Sequence, residues 1–400
     1  GLVNVHTHLF QTGVKGLGED MAVQEWAVAV TAPTAARITA EEAYLFAVNG
    51  CLEHIRCGAT TLVEMSYAVP NFDVHHATIR AILDSGLRGR YSSIISDFDD
   101  YGLPPQLLKP IDAFLDETRR LQAQYPLDDR MGIWLAIGAP WVATDDAIRR
   151  TRAFATETGT FLTMHLNENE IDNELIQRRH GLDAIAYLEE IGFLGPDFLA
   201  IHCVVMTPAE IELLARRGVK VAYNPVSNMY LGSGIAPMVQ MAQAGVTVGL
   251  GVDGAGSNNS LDMIETLKIG ALLQKVGARN AAVIDAQMVL DWATLGGAEI
   301  LGMRDKIGSL EVGKKADMFV LALNSPKIVP AHDPVATLIY SAGEENVMHT
   351  IAGGKILLKD RVIQHIDEAD ILQRSQQAAL ALADRSGANR KVSRHWRMER

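Results

Sequence analysis

Leu2-Val3-Asn4-Val5-His6-Thr7-His8-Leu9 opens the chain as a short apolar run that ends on two histidines. Runs rich in Val, Ile, Leu and Thr recur along the next 250 residues or so, with longer helical patterns between them, and this alternation indicates βα units around a parallel sheet. The predicted strands are Leu2–Leu9, Ala59–Ser66, Arg88–Ser96, Gly132–Pro140, Thr160–Glu168, Phe198–Met206, Lys220–Asn228 and Thr247–Ala255. The predicted helices between them include Ala40–Arg56, Pro110–Gln124, Asp145–Thr158, Gly181–Ile191, Thr207–Arg217 and Ala236–Ala244. Eight strands alternating with helices predict an α/β fold, a distorted (β/α)8 barrel of the TIM type.

The pattern changes after Gly296, where short strand-like runs follow one another with glycine turns and no long helix between them. These runs lie in Gly308–Gly313, Ala316–Leu321, His349–Lys355 and Ile356–Val362. An amphipathic helix over about Glu368–Arg385 and a basic tail, Lys391–Arg400, end the chain. We therefore divide the chain into a barrel domain at residues 1–300, partial β-sandwich strands at 301–366, and a C-terminal helix and tail at 367–400.

Composition narrows the class of protein. The 400 residues are 48% hydrophobic and carry a formal net charge of −12, which argues against a surface for nucleic-acid phosphates. No apolar run is long enough to span a bilayer and no signal peptide opens the chain, so we expect neither membrane insertion nor secretion. Three cysteines without a CxxC pair suit a reducing compartment, and we expect a cytoplasmic enzyme with a small-molecule substrate.

Histidines stand at the ends of three predicted strands. The two-residue period of a strand points His6 and His8 to the same side, and two neutral imidazoles on one face suit a divalent transition metal. The fifth strand ends near His165, with Glu168 three residues later, and the sixth ends near His202. A single histidine in such a place is more often a hydrogen-bonded core residue, but four of them favour a common site.

The eighth predicted strand ends near Asp253, which is followed by small residues. Barrel enzymes build their sites from the carboxyl ends of the strands, so all these groups should converge on one rim. Three histidines and one carboxylate, His6, His8, His165 and Asp253, form a plausible ligand set for zinc or ferrous iron, with a position left for water.

Several motifs together resemble the cytosine deaminase and chlorohydrolase-like branch of the amidohydrolase superfamily, which includes deaminases of methylthioadenosine and S-adenosylhomocysteine and s-triazine hydrolases. The matching stretches are His6-Thr-His8-Leu-Phe-Gln11, His165-Leu-Asn-Glu168, His202-Cys-Val, residues 224–237, Gly251-Val-Asp253-Gly-Ala-Gly-Ser-Asn-Asn259 and Gly308-Ser-Leu-Glu-Val-Gly-Lys-Lys-Ala-Asp317. Family members carry a further segment before the HxH strand that completes a β-sandwich, so we expect this chain to lack that part at its N-terminus. The resemblance also implies a homo-oligomer.

The resemblance implies one divalent metal ion, zinc before iron, that activates water for attack on a ring carbon. Glu168 would take the water proton and deliver it to the ring or the leaving group, and His202 and Asp253 would orient the nucleophile and help to move the second proton. Binuclear branches of the superfamily need a lysine or glutamate on the fourth strand. Gly132–Pro140 contains neither residue, so we predict a mononuclear site.

Substrate contacts are predicted for four residues, each with a structural alternative. Gln11 could bind the edge of a heterocycle or pack in its loop, and Trp26 and Trp141 could stack on a planar ring or belong to the core. Asn228 could contact substrate or stabilise a turn.

The leading hypothesis is a metal-dependent aminohydrolase that deaminates an amino-substituted N-heterocycle, of purine, pterin, pyrimidine or triazine type, and releases ammonia or an amine. Hydrolytic dechlorination of a triazine-type ring is the alternative within the class, although Glu168 favours deamination because an amine leaving group needs a proton. Cyclic amide hydrolysis ranks below these, and a non-catalytic binding barrel ranks last.

Overall fold

Residues 1–67, 71–98 and 102–388 are described by a computed structural model of the chain. The strands are β1 Leu2–His8, β2 Ala59–Ser66, β3 Arg88–Ile95, β4 Ile133–Ile137, β5 Leu162–Leu166, β6 Phe198–His202, β7 Lys220–Tyr223, β8 Thr247–Leu250, β9 Asp253–Gly254, β10 Met318–Leu321, β11 Val347–Ala352, β12 Lys355–Lys359 and β13 Val362–Ile363. The helices are α1 Val23–Trp26, α2 Ala32–Ala35, α3 Ala40–Arg56, α4 Phe72–Ser85, α5 Ile111–Gln124, α6 Asp145–Thr158, α7 Glu170–His180, α8 Ala184–Glu190, α9 Pro208–Arg217, α10 Pro225–Tyr230, α11 Met238–Gln243, α12 Ala255–Asn258, α13 Met263–Ala278, α14 Ala286–Asp291, α15 Gly297–Ile300, α16 Pro334–Tyr340 and α17 Glu368–Ser386. Short 3-10 turns cover Leu9–Val14, Pro105–Leu107, Pro140–Val142 and Glu344–Asn346, and π-helical turns cover Ala27–Thr31 and Trp292–Gly296.

A parallel sheet forms the centre of the fold, in the order β8-β7-β6-β5-β4-β3-β2-β1-β9. Its closure depends on a two-residue strand: the chain leaves β8 and pairs Asp253 with Thr7 and Gly254 with His8 on β1. The ends of the sheet are thereby joined, and the predicted TIM-type barrel is confirmed. All eight predicted strands are present, but the later ones end before the predicted limits.

Nearly every residue of β1 to β8 is buried, because the lumen side chains pack against each other and the outer side chains pack against helices. Val5, Met65, Trp134 and Ile201 belong to one buried cluster with the segment that follows α15. The helices begin where the sequence supplies caps: Thr39 and Glu42 form a reciprocal capping box at the start of α3.

A β-bulge lies in the strand that carries the first two histidines. Asn4 pairs with Leu62 and Thr7 pairs with Glu64, so three steps along β1 correspond to two steps along β2. Bulges next to active sites change the direction of a side chain relative to the rest of its strand. The irregularity therefore lies at Val5 and His6, just before the residues Thr7 and His8 that pair with β9.

The appended strands form one antiparallel sheet in the order β10-β11-β12-β13. The strand predicted over Gly308–Gly313 is wrong, since this stretch consists of turns. The predicted run Ile356–Val362 is interrupted, because Asp360 and Arg361 both adopt positive φ and form a turn between β12 and β13. A buried ion pair joins this region to the barrel: the Arg88 guanidinium lies 3.1 Å from the Asp317 carboxylate.

The C-terminal helix was predicted closely. Helix α17 ends at Ser386 and lies against α3, where the Arg385 guanidinium donates to both carboxylate oxygens of Glu42 at 2.7 and 2.8 Å. The basic tail, Lys391–Arg400, lies outside the described residues. Within the described ranges, no helix combines the length and apolar character needed to cross a bilayer.

Candidate metal centre

Five polar side chains meet at the carboxyl ends of the barrel strands. His6 and His8 come from the end of β1, His165 from β5, His202 from the last position of β6, and Asp253 from β9. These strands are far apart in sequence, so closure of the barrel is what brings the five side chains together. All are buried except His165, which is partly buried.

The distances define one centre. Asp253 Oδ1 lies 3.1 Å from His6 Nε2 and 3.3 Å from His8 Nε2, and His8 Nε2 lies 3.3 Å from His165 Nε2. Ligand atoms of His6, His165, His202 and Asp253 also lie within 4.8 Å of one another. Distance alone therefore leaves His8 and His202 as competitors for the fourth ligand position.

Hydrogen bonds on the far side of each ring define the tautomers. His8 Nδ1 donates to the Met65 carbonyl at 2.5 Å, and His165 Nδ1 donates to the Gly138 carbonyl at 2.6 Å. A carbonyl can only accept, so each neutral ring carries its proton on Nδ1 and presents an unprotonated Nε2 to the centre. Two lone pairs then face each other across 3.3 Å, an arrangement that repels unless a cation lies between them.

Electrostatics favours the neutral form that binds metals. Burial lowers the pKa of His6, His8 and His165, in the case of His8 to about 4, and the neighbouring imidazoles lower the pKa of His8 and His165 further. Burial would raise the pKa of Asp253, but its hydrogen bond with His6 and the surrounding histidines outweigh burial and hold it well below the usual range. Three neutral imidazoles and one carboxylate match the chemistry of a zinc or ferrous site.

Asp253 is held by hydroxyls as well as by histidines. Its Oδ2 accepts from Ser227 Oγ at 2.5 Å and from Ser257 Oγ at 3.1 Å, which leaves Oδ1 directed at the centre. Its backbone is left-handed, with φ of 59°, and His202 is left-handed as well, at 74°. Such conformations cost roughly 1–3 kcal/mol each and cluster at functional sites.

His202 differs from the other histidines in its surroundings. Its Nδ1 donates to the side-chain oxygen of Asn228 at 2.8 Å, and its Nε2 lies 3.7 Å from Glu168 Oε2. Burial alone would lower the pKa of His202, but the charges of Glu168 and Asp253 outweigh it and raise the pKa. Burial also raises the pKa of Glu168. Both pKa values are thus shifted upwards, and such shifts are common among groups at functional sites.

Asp172 is a site residue that was not predicted. It is buried on α7, where its Oδ2 accepts from the Glu168 backbone N–H at 2.9 Å and its Oδ1 accepts from the Trp141 indole at 2.7 Å. Burial and the charge of Glu168 raise the pKa of Asp172 to about 7. The only sequence signal was a carboxylate one helical turn after Glu168.

An open cleft leads to the centre. Gln11, Trp26 and Trp141 line it together with His8, His165, Glu168, His202 and Asp253. Gln11 also accepts from the Gly256 backbone N–H at 3.2 Å, so its carbonyl is already engaged. Asn228 does not belong to the described lining, since it lies behind His202.

The chain is similar to one protein family and to several known deaminases. The profile of the amidohydrolase family matches residues 1–357. A 5-methylthioadenosine/S-adenosylhomocysteine deaminase of Desulforudis audaxviator is 36% identical over 386 residues, which cover 96% of this chain and 86% of that protein. A 5′-deoxyadenosine deaminase of Methanobrevibacter smithii is 35% identical over 387 residues, with the same two coverages. Among solved structures, an adenosine deaminase of Xanthomonas campestris with bound zinc has a TM-score of 0.89 and 30% identity, covering 96% of this chain and 85% of that one.

Proposed function

This chain belongs to the amidohydrolase family, and we propose that it deaminates an adenosine-type nucleoside hydrolytically, with release of ammonia, at a single divalent metal ion. The observation that carries the proposal is the pair of unprotonated Nε2 atoms of His8 and His165, 3.3 Å apart beside the Asp253 carboxylate. The cleft above them is lined by two indoles that could hold a planar ring. The names of the relatives support the adenosine class.

We propose His6, His8, His165 and Asp253 as the metal ligands and zinc as the metal. Their pKa values lie below the ordinary ranges, so all four are in the ligating form at neutral pH. A zinc ion bound there would supply Lewis acidity and lower the pKa of bound water to about 7. The sequence of β4 holds no lysine or glutamate to bridge a second ion, which supports a mononuclear site.

Glu168 is the proposed general acid and base. Its carboxylate faces the cleft, and Ser233 Oγ donates to Oε1 at 3.1 Å while Oε2 points towards His202. Oε2 is therefore free to hold the proton removed from the attacking water and to deliver it to the purine ring or the departing amino group. An amine is a poor leaving group until it is protonated, so this second transfer favours deamination.

His202 is the proposed partner of Glu168 rather than a metal ligand. Its raised pKa contrasts with the lowered pKa of the other three histidines, and its Nε2 faces a carboxylate. Asn228 would act through His202, because its side-chain oxygen accepts a hydrogen bond from Nδ1–H and so directs Nε2 towards the reacting atoms. Trp26 and Trp141 would form the walls against which the purine ring lies, and Gln11 would contact its edge.

The test is a metal and substrate survey of the purified chain. We expect about one zinc per chain and ammonia release from adenosine-type nucleosides that chelation abolishes and added zinc restores. Cytosine, guanine, aminotriazines, a chlorotriazine and a cyclic amide form the comparison set. Turnover of a chlorotriazine or a cyclic amide without turnover of any adenosine would refute the proposed function.

A further inference from the structure

Asn4 and His54 form a buried polar pair that the proposed chemistry does not use. Asn4 lies in β1, two residues before His6, and His54 lies on the side of α3 that faces this strand; both residues are fully buried. His54 Nε2 lies 2.7 Å from Asn4 Nδ2, and His54 Nδ1 lies 2.7 Å from the Gly50 carbonyl oxygen. Burying polar groups is costly unless their hydrogen bonds are made, so the partners of this pair show what it holds in place.

The contacts of His54 determine the direction of the hydrogen bond between the two side chains. The Gly50 carbonyl can only accept, so His54 carries a proton on Nδ1. Burial lowers the pKa of His54, which keeps the ring neutral at neutral pH and leaves Nε2 unprotonated. Nε2 therefore accepts from the Asn4 amide group, and the side-chain oxygen of Asn4 must lie on the side away from the helix. In this way α3 determines which end of the Asn4 amide faces the strand backbone.

The side-chain oxygen of Asn4 joins two segments of backbone. It accepts from the His6 N–H and from the Val252 N–H, each at 3.2 Å. His6 lies at the bulge in β1, and Val252 directly precedes Asp253, whose pairing with Thr7 closes the sheet. An amide oxygen has two lone pairs, so both are engaged. One buried atom thus holds together the backbone at His6 and the backbone beside Asp253, which belong to opposite ends of the sheet.

Building on the proposed function and its metal centre, we propose that Asn4 and His54 are positioning residues for that centre. Asn4 sets the distance between the backbone of His6 and that of Asp253, and His54 keeps the Asn4 oxygen directed at both segments. Without His54 the amide is free to turn round and present its NH2 group to two N–H donors, which pushes the two segments apart. A ligand displacement of about 0.5 Å is enough to disturb a metal site. The pair therefore acts on zinc binding through the backbone of the ligands.

The experiment measures zinc affinity, by competition with a chelator, and the visible absorption of the cobalt(II)-loaded chain, which depends on ligand geometry. We expect Asn4→Leu and His54→Leu each to weaken zinc binding by about 10- to 100-fold and to change the cobalt spectrum. His54→Gln should stay within about threefold of the wild type, because the glutamine side-chain oxygen can accept from the Asn4 amide as Nε2 does. Asn4→Leu combined with His54→Leu should bind zinc no more weakly than Asn4→Leu alone, since His54 acts through Asn4.

His75→Leu is the matched control for His54→Leu. His75 is also a fully buried histidine, on α4, but it contacts the Tyr91 hydroxyl at 2.6 Å and the Glu117 carboxylate at 3.4 Å rather than the backbone of a proposed ligand. Its replacement likewise removes the hydrogen bonds of a buried ring. We expect this variant to lose stability in urea unfolding and to keep the zinc affinity and the cobalt spectrum of the wild type.

Three results would overturn the inference. The first is a folded His54→Leu chain with the zinc affinity of the wild type, and the second is an additive loss in the double variant. The third is an equal loss of zinc affinity in His54→Leu, His54→Gln and His75→Leu, which would trace the loss to general stability. The two His54 variants decide the question even where Asn4→Leu does not fold. A wild-type chain that binds zinc but deaminates no adenosine would refute the proposed reaction alone, because the readout here is zinc affinity.

Discussion

Replacement of Glu168 by glutamine is the sharpest test of the catalytic assignment. The residue is 8% exposed, its Oε1 accepts from Ser233, and its backbone N–H donates to Asp172. Glutamine has nearly the same shape and can keep the Ser233 bond through its carbonyl oxygen, but it can neither take up nor release a proton at neutral pH. The change therefore removes proton transfer with little change in packing.

The expected loss follows from the role of the proton. A positioned general acid or base contributes roughly 10²- to 10⁴-fold to a rate, which corresponds to about 3–5 kcal/mol in the activation free energy. Glu168 is proposed to act twice, on the water and on the leaving group, so the loss should lie in the upper part of this range. Because none of the four proposed ligands is altered, zinc content should remain that of the wild type.

The assay is ammonia release from 5′-methylthioadenosine together with metal analysis of the same preparation. Glu170→Gln is the matched control, since Glu170 is an exposed carboxylate at the start of α7 and undergoes the same chemical change. We expect wild-type activity from the control. A Glu168→Gln enzyme that keeps zinc and more than about a tenth of the wild-type kcat would refute the assignment.

Four further changes test the surroundings of the centre. His8→Ala should weaken zinc affinity by about 100-fold or more, which equilibrium dialysis with zinc measures. His202→Ala should keep its zinc in the same dialysis and lose most of kcat in the ammonia assay. Asp172→Asn leaves one acceptor for two N–H donors, so kcat/KM should fall by about 10- to 100-fold at unchanged zinc content, and steady-state kinetics with metal analysis measures this. Burial raises the pKa of Glu64 from 4.5 to about 8, so between these two pH values the folded state keeps a proton that the unfolded state releases. This group therefore makes the chain less stable as the pH rises from 4.5 to about 8. In urea unfolding, the free energy of unfolding of Glu64→Gln should rise by about 2 kcal/mol relative to that of the wild type between pH 6 and pH 7.5. A difference between the two proteins that does not change with pH would contradict the raised pKa of Glu64.

Local chemistry explains which elements could be predicted from sequence. The bounds of α3 and α6 were predicted to the residue, because Thr39 and Thr144 supply side-chain caps at their starts. Strands β5 to β8 were predicted too long, since apolar residues continue beyond the last ladder hydrogen bonds. At His202 and Asp253 the backbone becomes left-handed, and periodicity carries no signal for that change.

The site residues also fall into those that the sequence could predict and those that it could not. Residue type and position at a strand end were sufficient to predict that His6, His165, His202 and Asp253 would meet, because barrel closure follows from the strand count. Asp172 was missed because its importance comes from two contacts, with Trp141 and the Glu168 backbone, that depend on how α7 packs. Asn228 was considered for substrate, but its contact with His202 depends on the turn at the start of α10.

The roles of the histidines depend on the atoms behind them. A backbone carbonyl accepts from His8 and another from His165, and each leaves an unprotonated Nε2 facing the centre, which suits the proposed role as a metal ligand. Behind His202 stands a side-chain amide, and in front of it a carboxylate, so this ring can gain and lose a proton without giving up its hydrogen bond. The proposal thus assigns two functions to four identical side chains on one rim, and replacement of Asn228 should affect His202 while leaving metal binding intact.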